Sequence, residues 1–440
     1  MRVLLCQSYL GSVTNEPLVL PIGLAYLASS IKEEHDVICW DPNVSSNPMK
    51  ELSTLLETFD PDVVGVSFRN VDNVFSYNKR WYYPPFVSMV KTIREEKPDC
   101  KLVVGGAAFS IFSKEIMERN PEIDFGVVSE GEYSFERLLK NLDHPERAGN
   151  LVFRKDGRVV FTPRSRLADF DDLAPPFYDA FDLAKYGKNT TAIGVQSKRG
   201  CGFGCIYCLH SFFMGEFCRL RSPRKVVDEI EELVNKHGVK AFNFVDSVFN
   251  SPLNHARKIC REIKNRKLNI KWEACFRPDL VNADFVGEAV RAGCLLFDYS
   301  PDGASDGAMK ALGKNLEVKD VEKTLALISK IGDAKVMYDF MYDLPYNNSE
   351  HVQGLIRLLP RIMLKCREKL RGLSLTKMRI FPHTKLYLIA LQQGKISRET
   401  DLLYPTHYEC SHPRSLEDLI PQFLRTTAFV YGKLCRALEP

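Results

Sequence analysis

The sequence predicts an α/β protein with two successive parallel-sheet domains and a small helical cap towards the C-terminal end. Three observations predict it. Strand-like and helix-like runs alternate through residues 1–140, the alternation stops between about 141 and 190, and it resumes with longer units from residue 191. Strands that alternate with helices at this spacing are typical of parallel sheets covered by helices.

The first domain, residues 1–145, is predicted to be a doubly wound, Rossmann-like sheet. Strand-like runs lie at residues 2–6, 35–40, 62–67, 101–105 and 123–128. Helical patterns lie between them at 24–32, 49–58, 85–96 and 113–120. Sheets of this kind bind ligands beyond the carboxyl ends of their strands. We therefore expect the functional residues of this domain in the loops that follow the strands.

Residues 146–190 are predicted to form a connector. The stretch LVFRKDGRVVFTP indicates a β-hairpin with Asp156 and Gly157 at its turn. The following stretch DFDDLAPPFYDAFDL contains two prolines and five aspartates and has no regular period. It is interpreted as an ordered link between the domains.

Residues 191–385 are predicted to form six β/α units, and residues 386–440 a helical cap. The strand-like runs are 191–197, 241–246, 270–276, 294–300, 335–342 and 373–381. The first helix is marked by Ser222 as its N-cap, Pro223 in the first turn and Gly238 as its terminator. Six such units fit an open or closed parallel barrel, whose chemistry lies at the carboxyl ends of the strands.

Composition excludes several classes of function. The net charge of +4 over 440 residues is too weak and dispersed to indicate nucleic-acid binding. The basic run of Lys365, Arg367, Lys369 and Arg371 is interpreted as a solvated helix face. No run of about 18 apolar residues is present, so we expect no membrane span. The start MRVLLCQSYL does not resemble a signal peptide, and a cytoplasmic location is expected.

Three of the 13 cysteines form a motif. Cys201, Cys205 and Cys208 lie in SKRGCGFGCIYCLH with the spacing C-x3-C-x2-C, whereas the other cysteines are scattered. Four thiolates usually hold an iron–sulfur cube, and three leave one iron with an open coordination position. Gly202 and Gly204 are expected to let the loop fold tightly around a cluster. Zinc is the rival metal, and His210 is a candidate fourth ligand.

This motif, with Tyr207 just before its last cysteine, resembles the signature of radical S-adenosylmethionine enzymes. The resemblance implies that Cys201, Cys205 and Cys208 bind a [4Fe–4S] cluster. This cluster reductively cleaves S-adenosylmethionine to a 5′-deoxyadenosyl radical. It also implies a partial (β/α)6 barrel of the TIM type and an electron donor as a partner.

Further cofactor-binding residues follow from the same resemblance. Asp246, after the second barrel strand, matches the acidic residue that contacts the methionyl amine, and Tyr207 and Arg277 are further candidates. The family's Gly-x-Glu-Ser motif is altered, because Asp302 stands in place of its glutamate, which leaves the ribose contact open. Asp343, in Asp343-Leu344-Pro345, stands where the family has glycine. A capping or turn role is the alternative for Asp246, Arg277 and Asp343.

The first domain resembles the cobalamin-binding class of these enzymes. The pieces that carry the resemblance follow the predicted strands or open the first helix: Pro21–Leu24, Ser67–Asp72, Gly105-Gly106 and Ser129–Glu132. The residues that it implies for cobalamin are Ser67, Arg69, Asn70, Gly105, Gly106, Glu130 and Gly131. Flavin or nucleotide binding is the alternative, but no G-x-G-x-x-G or P-loop occurs.

The chain lacks the Asp-x-His-x-x-Gly motif that places a histidine below cobalt, and no histidine precedes His35. The resemblance implies that Phe68 or Arg69 occupies the lower face of the cofactor instead. A lower face without a strong donor eases changes in the coordination number of cobalt. The alternative is that Arg69 pairs with Asp72 and orders its own loop.

The function implied is a cobalamin-dependent radical S-adenosylmethionine C-methyltransferase acting on an unactivated carbon. The resemblance extends to enzymes that methylate a protein residue, such as the glutamine C-methyltransferases of methyl-coenzyme M reductase. The aromatic-rich loop 80–85 and the charged cap are candidate peptide contacts, with ordinary packing as the alternative. The other hypotheses are a cobalamin-dependent cyclase or oxidase, a methylase of a small natural product, and a non-catalytic cofactor carrier.

Overall fold

The computed structural model describes residues 1–11, 18–166, 169–187, 190–346 and 348–410. The first-domain strands are β1 (Arg2–Gln7), β2 (Asp36–Trp40), β3 (Val63–Ser67), β4 (Lys101–Gly105), β5 (Phe125–Val127), β6 (Leu151–Lys155) and β7 (Arg158–Phe161). The later strands are β8 (Gly194–Val195), β9 (Lys198–Arg199), β10 (Arg219–Leu220), β11 (Ala241–Phe244), β12 (Lys271–Phe276), β13 (Cys294–Asp302), β14 (Lys335–Tyr342) and β15 (Leu370–Lys377).

The helices alternate with these strands. In the first half they are α1 (Ile22–Ile31), α2 (Pro48–Phe59), α3 (Tyr83–Glu96), α4 (Ala107–Ile111), α5 (Ser113–Arg119), α6 (Glu132–Leu139) and α7 (His210–Met214). In the second half they are α8 (Pro223–His237), α9 (Leu253–Asn265), α10 (Ala283–Arg291), α11 (Asp306–Ala311), α12 (Val318–Ala326), α13 (Asn348–Cys366) and α14 (Lys385–Gln392). The predicted α/β fold class is confirmed.

The first sheet has seven strands in the order β2-β1-β3-β4-β5-β6-β7. Strands β1 to β5 run parallel, so their carboxyl ends meet at one edge. Gln7 pairs with Ser67 and Ser67 with Gly105, which places three strand ends side by side. The loops that follow these strands therefore share one surface, as expected for a doubly wound sheet.

The predicted hairpin forms but extends the first sheet. Strand β6 pairs antiparallel with β5, and β7 pairs antiparallel with β6. The first sheet therefore continues to Phe161, past the boundary predicted at residue 145. The sequence signals of a hairpin are local, whereas the strand that it joins is decided by long-range packing.

The second large sheet is parallel and has the order β15-β14-β13-β12-β11-β8. Its six strands correspond to the six predicted β/α units, and its two end strands do not pair with each other. Strands β9 and β10 form a separate antiparallel pair, in which Arg199 lies opposite Arg219. The barrel is therefore open, and the antiparallel pair stands between its first strand and its first long helix.

Helix α8 shows the end signals that the sequence contains. The Ser222 hydroxyl accepts a hydrogen bond from the Lys225 amide, Pro223 occupies the first turn, and Gly238 ends the helix with a φ of 67°. A left-handed residue after a helix is the usual place for glycine. Its buried face includes Val226, Val227, Ile230 and Leu233.

One hydrophobic core spans both halves of the chain. Phe68 and Phe86 of the first domain belong to the same cluster of buried side chains as Ile206, Leu209 and Leu312. Burial of apolar surface between two sheets fixes their relative position. The carboxyl edge of the first sheet is thereby packed against the loop that carries the cysteines.

Of the predicted cap, the structure describes α14 and the segment up to residue 410, and residues 411–440 lie outside the described chain. Within the part described, none of the helices combines the length and apolar character that crossing a membrane requires.

Gly126→Ala is expected to destabilise the first domain. A Cβ atom at this position of β5 would overlap the ring of Phe109 and lie 2.6 Å from a methyl carbon of Val152. Overpacking of this kind costs about 1–3 kcal/mol, which chemical unfolding measures directly.

Gly287→Ala in α10 is the matched control for this substitution. Its Cβ would meet only the mobile end of Arg291, and alanine gains about 1 kcal/mol in a helix interior. Equal unfolding free energies for the two variants would contradict the packing described here.

Candidate functional site

The cysteine loop runs from the end of β9 to the start of α7 and is held by backbone hydrogen bonds. The Cys201 amide donates to the Gly215 carbonyl at 3.0 Å. The Ile206 amide donates to the Leu312 carbonyl at 3.0 Å, and the Ile206 carbonyl accepts from the Leu386 amide at 2.8 Å. The loop is thus fixed by segments distant in sequence, so its shape depends on the whole barrel.

Two glycines outside the predicted pair permit this shape. Gly200 has a φ of 98° and packs against the Phe217 carbonyl, and Gly313 has a φ of 71°. A Cβ at Gly313 would lie 2.5 Å from the Gly204 carbonyl oxygen. Neither Gly202 nor Gly204 has a positive φ, and a Cβ at Gly202 would lie 3.1 Å from the Glu216 carbonyl oxygen. Their role around a cluster stays a prediction.

The three cysteines lie near one another in the loop, because Cys201 acts on the pKa of Cys205 and both act on that of Cys208. Burial is the main cause that raises the pKa of Cys205 and that raises the pKa of Cys208 to about 11, and Cys201 acts in the same direction on both. Among the described residues, no set of three or more His, Cys, Asp or Glu side chains converges as the ligands of a single ion do. Three thiols in one loop are the donor set that a cluster held at three corners takes, and the metals of such a cluster would deprotonate them.

Tyr207 and Asp302 are brought together beside this loop. The Tyr207 hydroxyl donates a hydrogen bond to the Asp302 carboxylate, and the Lys314 ammonium lies 2.5 Å from the same carboxylate. Burial and the adjoining Asp302 raise the pKa of Tyr207 well above its usual value, so the phenol stays a donor. Asp302 therefore anchors the cysteine loop to β13, and its contact with a ribose stays a prediction.

Asp246 is fully buried, and its carboxylate accepts several hydrogen bonds from one neighbouring segment. Its carboxylate accepts from the Ser197 amide at 2.8 Å, the Ser197 hydroxyl at 2.5 Å and the Lys198 amide at 3.1 Å. The Lys198 ammonium lies 3.8 Å away. These contacts give Asp246 a structural role that joins the first two barrel strands, and the methionyl-amine contact stays a prediction.

Arg277 is also turned towards the protein. It exchanges two backbone hydrogen bonds with the Asn250 side chain at 2.8 and 3.0 Å. Its guanidinium binds Asp279 at 2.8 Å and the Lys314 carbonyl at 2.9 Å, and lies 4.0 Å from the centre of the Phe203 ring. Because Phe203 belongs to the cysteine loop, Arg277 stabilises that loop.

A cavity of about 420 Å³ opens between the carboxyl edges of the two sheets. Six of the seven residues predicted for cobalamin line it: Ser67, Arg69, Gly105, Gly106, Glu130 and Gly131. In contrast, Asn70 is exposed and does not belong to the lining of this cavity. Residues of the second half, including Gln196 and Arg199, complete the wall. The prediction that the strand-end loops share one site therefore agrees with their placement.

The cavity has features of a ligand site. Gln7 and Ser129 line it, and the Gln7 Oε1 and Ser129 Oγ atoms are buried without a hydrogen-bond partner. Buried polar groups are normally paired, so unpaired ones beside a cavity indicate a missing partner. A Cβ at Gly23 would meet no atom within 4 Å. Polar rim groups and a glycine-bordered space fit cobalamin, whose ring periphery carries amide groups.

The alternative interpretation of Arg69, in which it pairs with Asp72 and orders its own loop, is wrong. Asp72, its expected partner, instead forms a buried ion pair with Arg379 at 2.7 Å. Arg69 lies on the cavity wall. Phe68 is fully buried, and its ring stacks on Phe86 with centroids 4.2 Å apart. Of these two residues, Arg69 is the one whose side chain reaches the cavity.

Sequence reasoning missed Cys218 in this region and gave His210 as a candidate fourth ligand of the metal. His210 lines the same cavity, and its backbone amide lies 3.5 Å from the Cys208 sulfur. Cys218 lies next to the cysteine loop, with its sulfur 3.5 Å from the Gly200 carbonyl. The short antiparallel pair β9–β10, which brings residue 218 beside residue 200, carries no strong sequence signal.

Two carboxyl groups inside the barrel were also missed. Burial and the neighbouring Asp339 raise the pKa of Asp298 to about 7. Burial likewise raises the pKa of Asp339, and the Ser300 hydroxyl donates to Asp339 at 3.1 Å. Both carboxyl groups therefore favour the neutral form more than an exposed aspartate does. The alternation of polar residues in 294–300 is the signal that could have placed Asp298 and Ser300 on one face.

Two protein families match separate parts of the chain. The B12 binding domain matches residues 13–139, and the radical SAM superfamily matches residues 183–359. The predicted combination of a cobalamin-binding domain with a radical S-adenosylmethionine domain is confirmed. The first match covers β2 to β5 of the first sheet, and the second covers β8 to β14.

Individual relatives are more distant. An uncharacterized methyltransferase of Pyrococcus horikoshii is 26% identical over 347 residues, which cover 78% of this chain and 73% of the relative. The anaerobic magnesium-protoporphyrin IX monomethyl ester cyclase of Synechocystis is 27% identical over 257 residues, covering 56% of this chain and 50% of the cyclase. This chain therefore spans about half the length of the cyclase.

A solved structure shares the fold. The radical S-adenosylmethionine methyltransferase TsrM of Kitasatospora setae, with cobalamin and a [4Fe–4S] cluster bound, superposes with a TM-score of 0.75 at 20% identity. The match covers 89% of this chain and 75% of TsrM. A second TsrM structure, with a tryptophan substrate and a S-adenosylmethionine analogue, gives a TM-score of 0.78 at 19% identity and covers 94% of this chain and 82% of TsrM.

Cys205→Ala is expected to abolish the iron–sulfur cluster, because two thiolates hold a cube poorly. Iron analysis after anaerobic reconstitution should fall from about four atoms per chain to well below one, with loss of the brown absorbance.

Cys100→Ala is the control, since Cys100 is buried just before β4, at the edge of the first sheet opposite the carboxyl ends that face the loop. Full iron content in Cys205→Ala would show that the three cysteines do not hold the metal.

Proposed function

Because this chain joins a B12-binding domain to a radical S-adenosylmethionine domain, we propose that it is a C-methyltransferase that acts on an unactivated carbon. The observation that carries the proposal is a cavity that residues of both domains line. Ser67 and Gly105 of the first sheet face it from one side, and His210, two residues after Cys208, faces it from the other. A methyl carrier and a radical source in contact with one space suit methyl transfer to carbon.

The roles of the residues follow from this placement. When bound, the cluster and S-adenosylmethionine supply a carbon-centred radical, and cobalamin supplies a carrier for the methyl group. Cys201, Cys205 and Cys208 would hold the cluster and leave one iron open for the amine and carboxylate of S-adenosylmethionine. The apolar core around Ile206 and Leu209 excludes water from this side of the cavity.

Arg69 is proposed to stand at the lower face of cobalamin. Its guanidinium lies on the cavity wall and has no lone pair that could bind a metal. Among the described residues, His210 is the one histidine that lines this cavity, and it belongs to the opposite wall. The lower face would then lack a strong donor, which favours changes in the coordination of cobalt.

The finer proposal concerns the substrate. The proposed substrate is a residue of a protein, such as the glutamine of methyl-coenzyme M reductase. Exposed aromatic side chains beside the mouth of the barrel support this proposal. Phe75 and Tyr77 are exposed, and the neighbouring Ser76 lies within 3.4 Å of the Tyr342 hydroxyl at the end of β14. A small molecule, such as the tryptophan substrate bound to TsrM, is the alternative.

The peptide surface predicted at residues 80–85 is corrected in part. Tyr82 and Tyr83 are buried, and the Trp81 indole donates to the Leu403 carbonyl at 2.9 Å. These aromatic residues therefore pack the junction between the first domain and the segment after α14. The exposed aromatic residues lie a few positions earlier in the same loop.

The reaction is tested by anaerobic reconstitution with S-adenosylmethionine, cobalamin and a reductant. We expect 5′-deoxyadenosine, and a product that gains one CH2 unit, found by comparing the proteins and metabolites of cells with and without the enzyme. A peptide that carries the added mass identifies a protein substrate.

The rival reactions predict different masses. A product that loses hydrogens would assign the cyclase or oxidase reaction, which the Synechocystis relative brings into consideration. The absence of 5′-deoxyadenosine under every condition would leave a carrier or a non-radical methylase. The Cys205→Ala variant is the negative control.

Gly23→Leu is expected to weaken cobalamin binding by more than about tenfold, which corresponds to 1.4 kcal/mol. The new side chain would enter the cavity from the first turn of α1, where a Cβ meets no protein atom. The dissociation constant is measured by absorbance, and the unfolding midpoint shows that the fold persists.

Gly287→Leu, on the distant helix α10, should bind cobalamin as the unaltered chain does. Equal affinity in Gly23→Leu would place cobalamin outside this cavity.

A further inference from the structure

Four charged side chains form a buried cluster between the two halves of the chain. Arg199 binds Glu132 at 2.6 Å and Glu130 at 3.2 Å, and Arg219 binds the other oxygen of Glu130 at 2.8 Å. We refer to Arg199, Arg219, Glu130 and Glu132 as the arginine clamp. The exposed fractions of its side chains are only 6–14%.

The two arginines of the clamp lie at, or bind to, the two ends of the cysteine loop. Arg199 precedes Cys201 by two positions in the chain. Arg219 also donates to the Met214 carbonyl at 2.8 Å, and Met214 ends the helix that follows Cys208. The Cys201 amide donates to the next residue, Gly215. The clamp therefore fixes the loop at its entrance and at its exit.

The glutamates of the clamp belong to the other domain. Glu130 and Glu132 flank Gly131 after β5, and all three residues line the cavity proposed for cobalamin. The Ser129 amide of the same loop is held by the Ser110 hydroxyl at 2.8 Å. A movement of this cavity wall is therefore transmitted to the clamp, because the carboxylates lie within the wall itself.

The surroundings of Arg199 restrict it to one geometry. Its guanidinium lies 4.5 Å from the centre of the Phe170 ring and 5.3 Å from that of Tyr26, and its Nε donates to Gln196 at 3.1 Å. A buried ion pair loses much of its attraction to desolvation and contributes little net stability. A forked, hydrogen-bonded arginine nevertheless defines orientation. The clamp is thus better suited to fixing positions than to stabilising the fold.

We propose that the arginine clamp couples the two cofactor sites, so that cluster assembly strengthens cobalamin binding. This inference rests on the proposed function. The cluster adds a further restraint on the cysteine loop, which holds Arg199 and Arg219 more firmly in their one geometry and so holds the loop of Glu130 and Glu132 against the cavity. Cobalamin then binds a wall that is already ordered. By linkage, cobalamin strengthens cluster binding by the same factor.

The test compares cobalamin binding by two forms of the full chain. Hydroxocobalamin is titrated anaerobically into the cluster-loaded protein and into protein stripped by a chelator, and the ratio of the dissociation constants is taken. We expect binding at least about fivefold tighter in the cluster-loaded form. In Glu132→Gln, which keeps the shape but removes the charge, the ratio should fall towards one. A merely structural role would weaken both forms and leave the ratio unchanged.

Asp72→Asn is the matched control. Asp72 forms an ion pair with Arg379 at 2.7 Å that also joins the first domain to a later segment, with exposed fractions of 1% and 3%. Neither residue lines the cavity or binds a member of the clamp among its hydrogen bonds. The control should therefore retain the ratio of the unaltered chain. A ratio lowered equally in Asp72→Asn and Glu132→Gln would overturn the specific role of the clamp.

A second measurement covers variants that fail to fold. Hydrogen exchange in residues 200–215 of the unaltered, cluster-free chain should slow when cobalamin is added, and Glu130→Gln should reduce this effect. Unchanged exchange in the unaltered chain overturns the coupling. Cobalamin binding with equal affinity in both forms overturns the coupling alone, whereas no binding in either form overturns the proposed function with it.

Discussion

The carboxyl edges of two parallel sheets face each other across one cavity, and the rest of the site depends on this constraint. The loops that follow parallel strands all leave the sheet at the same edge, so each sheet has one functional side. The shared core of Phe68, Ile206 and Leu312 fixes the two functional sides against each other. Each loop therefore needs only a short path to reach the common space, and no long mobile segment is required to assemble it.

Much of the fold could be predicted because its signals are local. The alternation of short apolar runs with helical patterns located β1 to β5 and the six barrel strands, and Ser222, Pro223 and Gly238 marked the ends of α8. Other features depend on partners far along the chain. The short helix α4 and the pairing of β6 with β5 follow from tertiary packing, which no window of the sequence contains.

The candidate site shows the same division. The three cysteines were found because their spacing is itself the signal, whereas single polar residues were found only as candidates. Arg69 and Asp72 are close in sequence, yet Asp72 pairs with Arg379, which lies 307 positions away. Asp246, likewise, is occupied by Ser197 and Lys198 from the preceding strand region. A strand end predicts where a side chain stands but not which neighbour it binds.

The buried charges at the junction between the two halves provide a property that an apolar junction would lack. Apolar side chains of similar volume would hold the two halves together at least as well, because a buried ion pair repays little of its desolvation. Apolar contacts, however, permit sliding, whereas Arg199 and Arg219 satisfy Glu130 and Glu132 in one arrangement only. The buried charges therefore cost free energy of desolvation, and in return they fix the position of one half of the chain relative to the other. Register matters here because the cysteine loop and the cavity wall meet at these four side chains, and a shift of either would separate the two proposed cofactor sites.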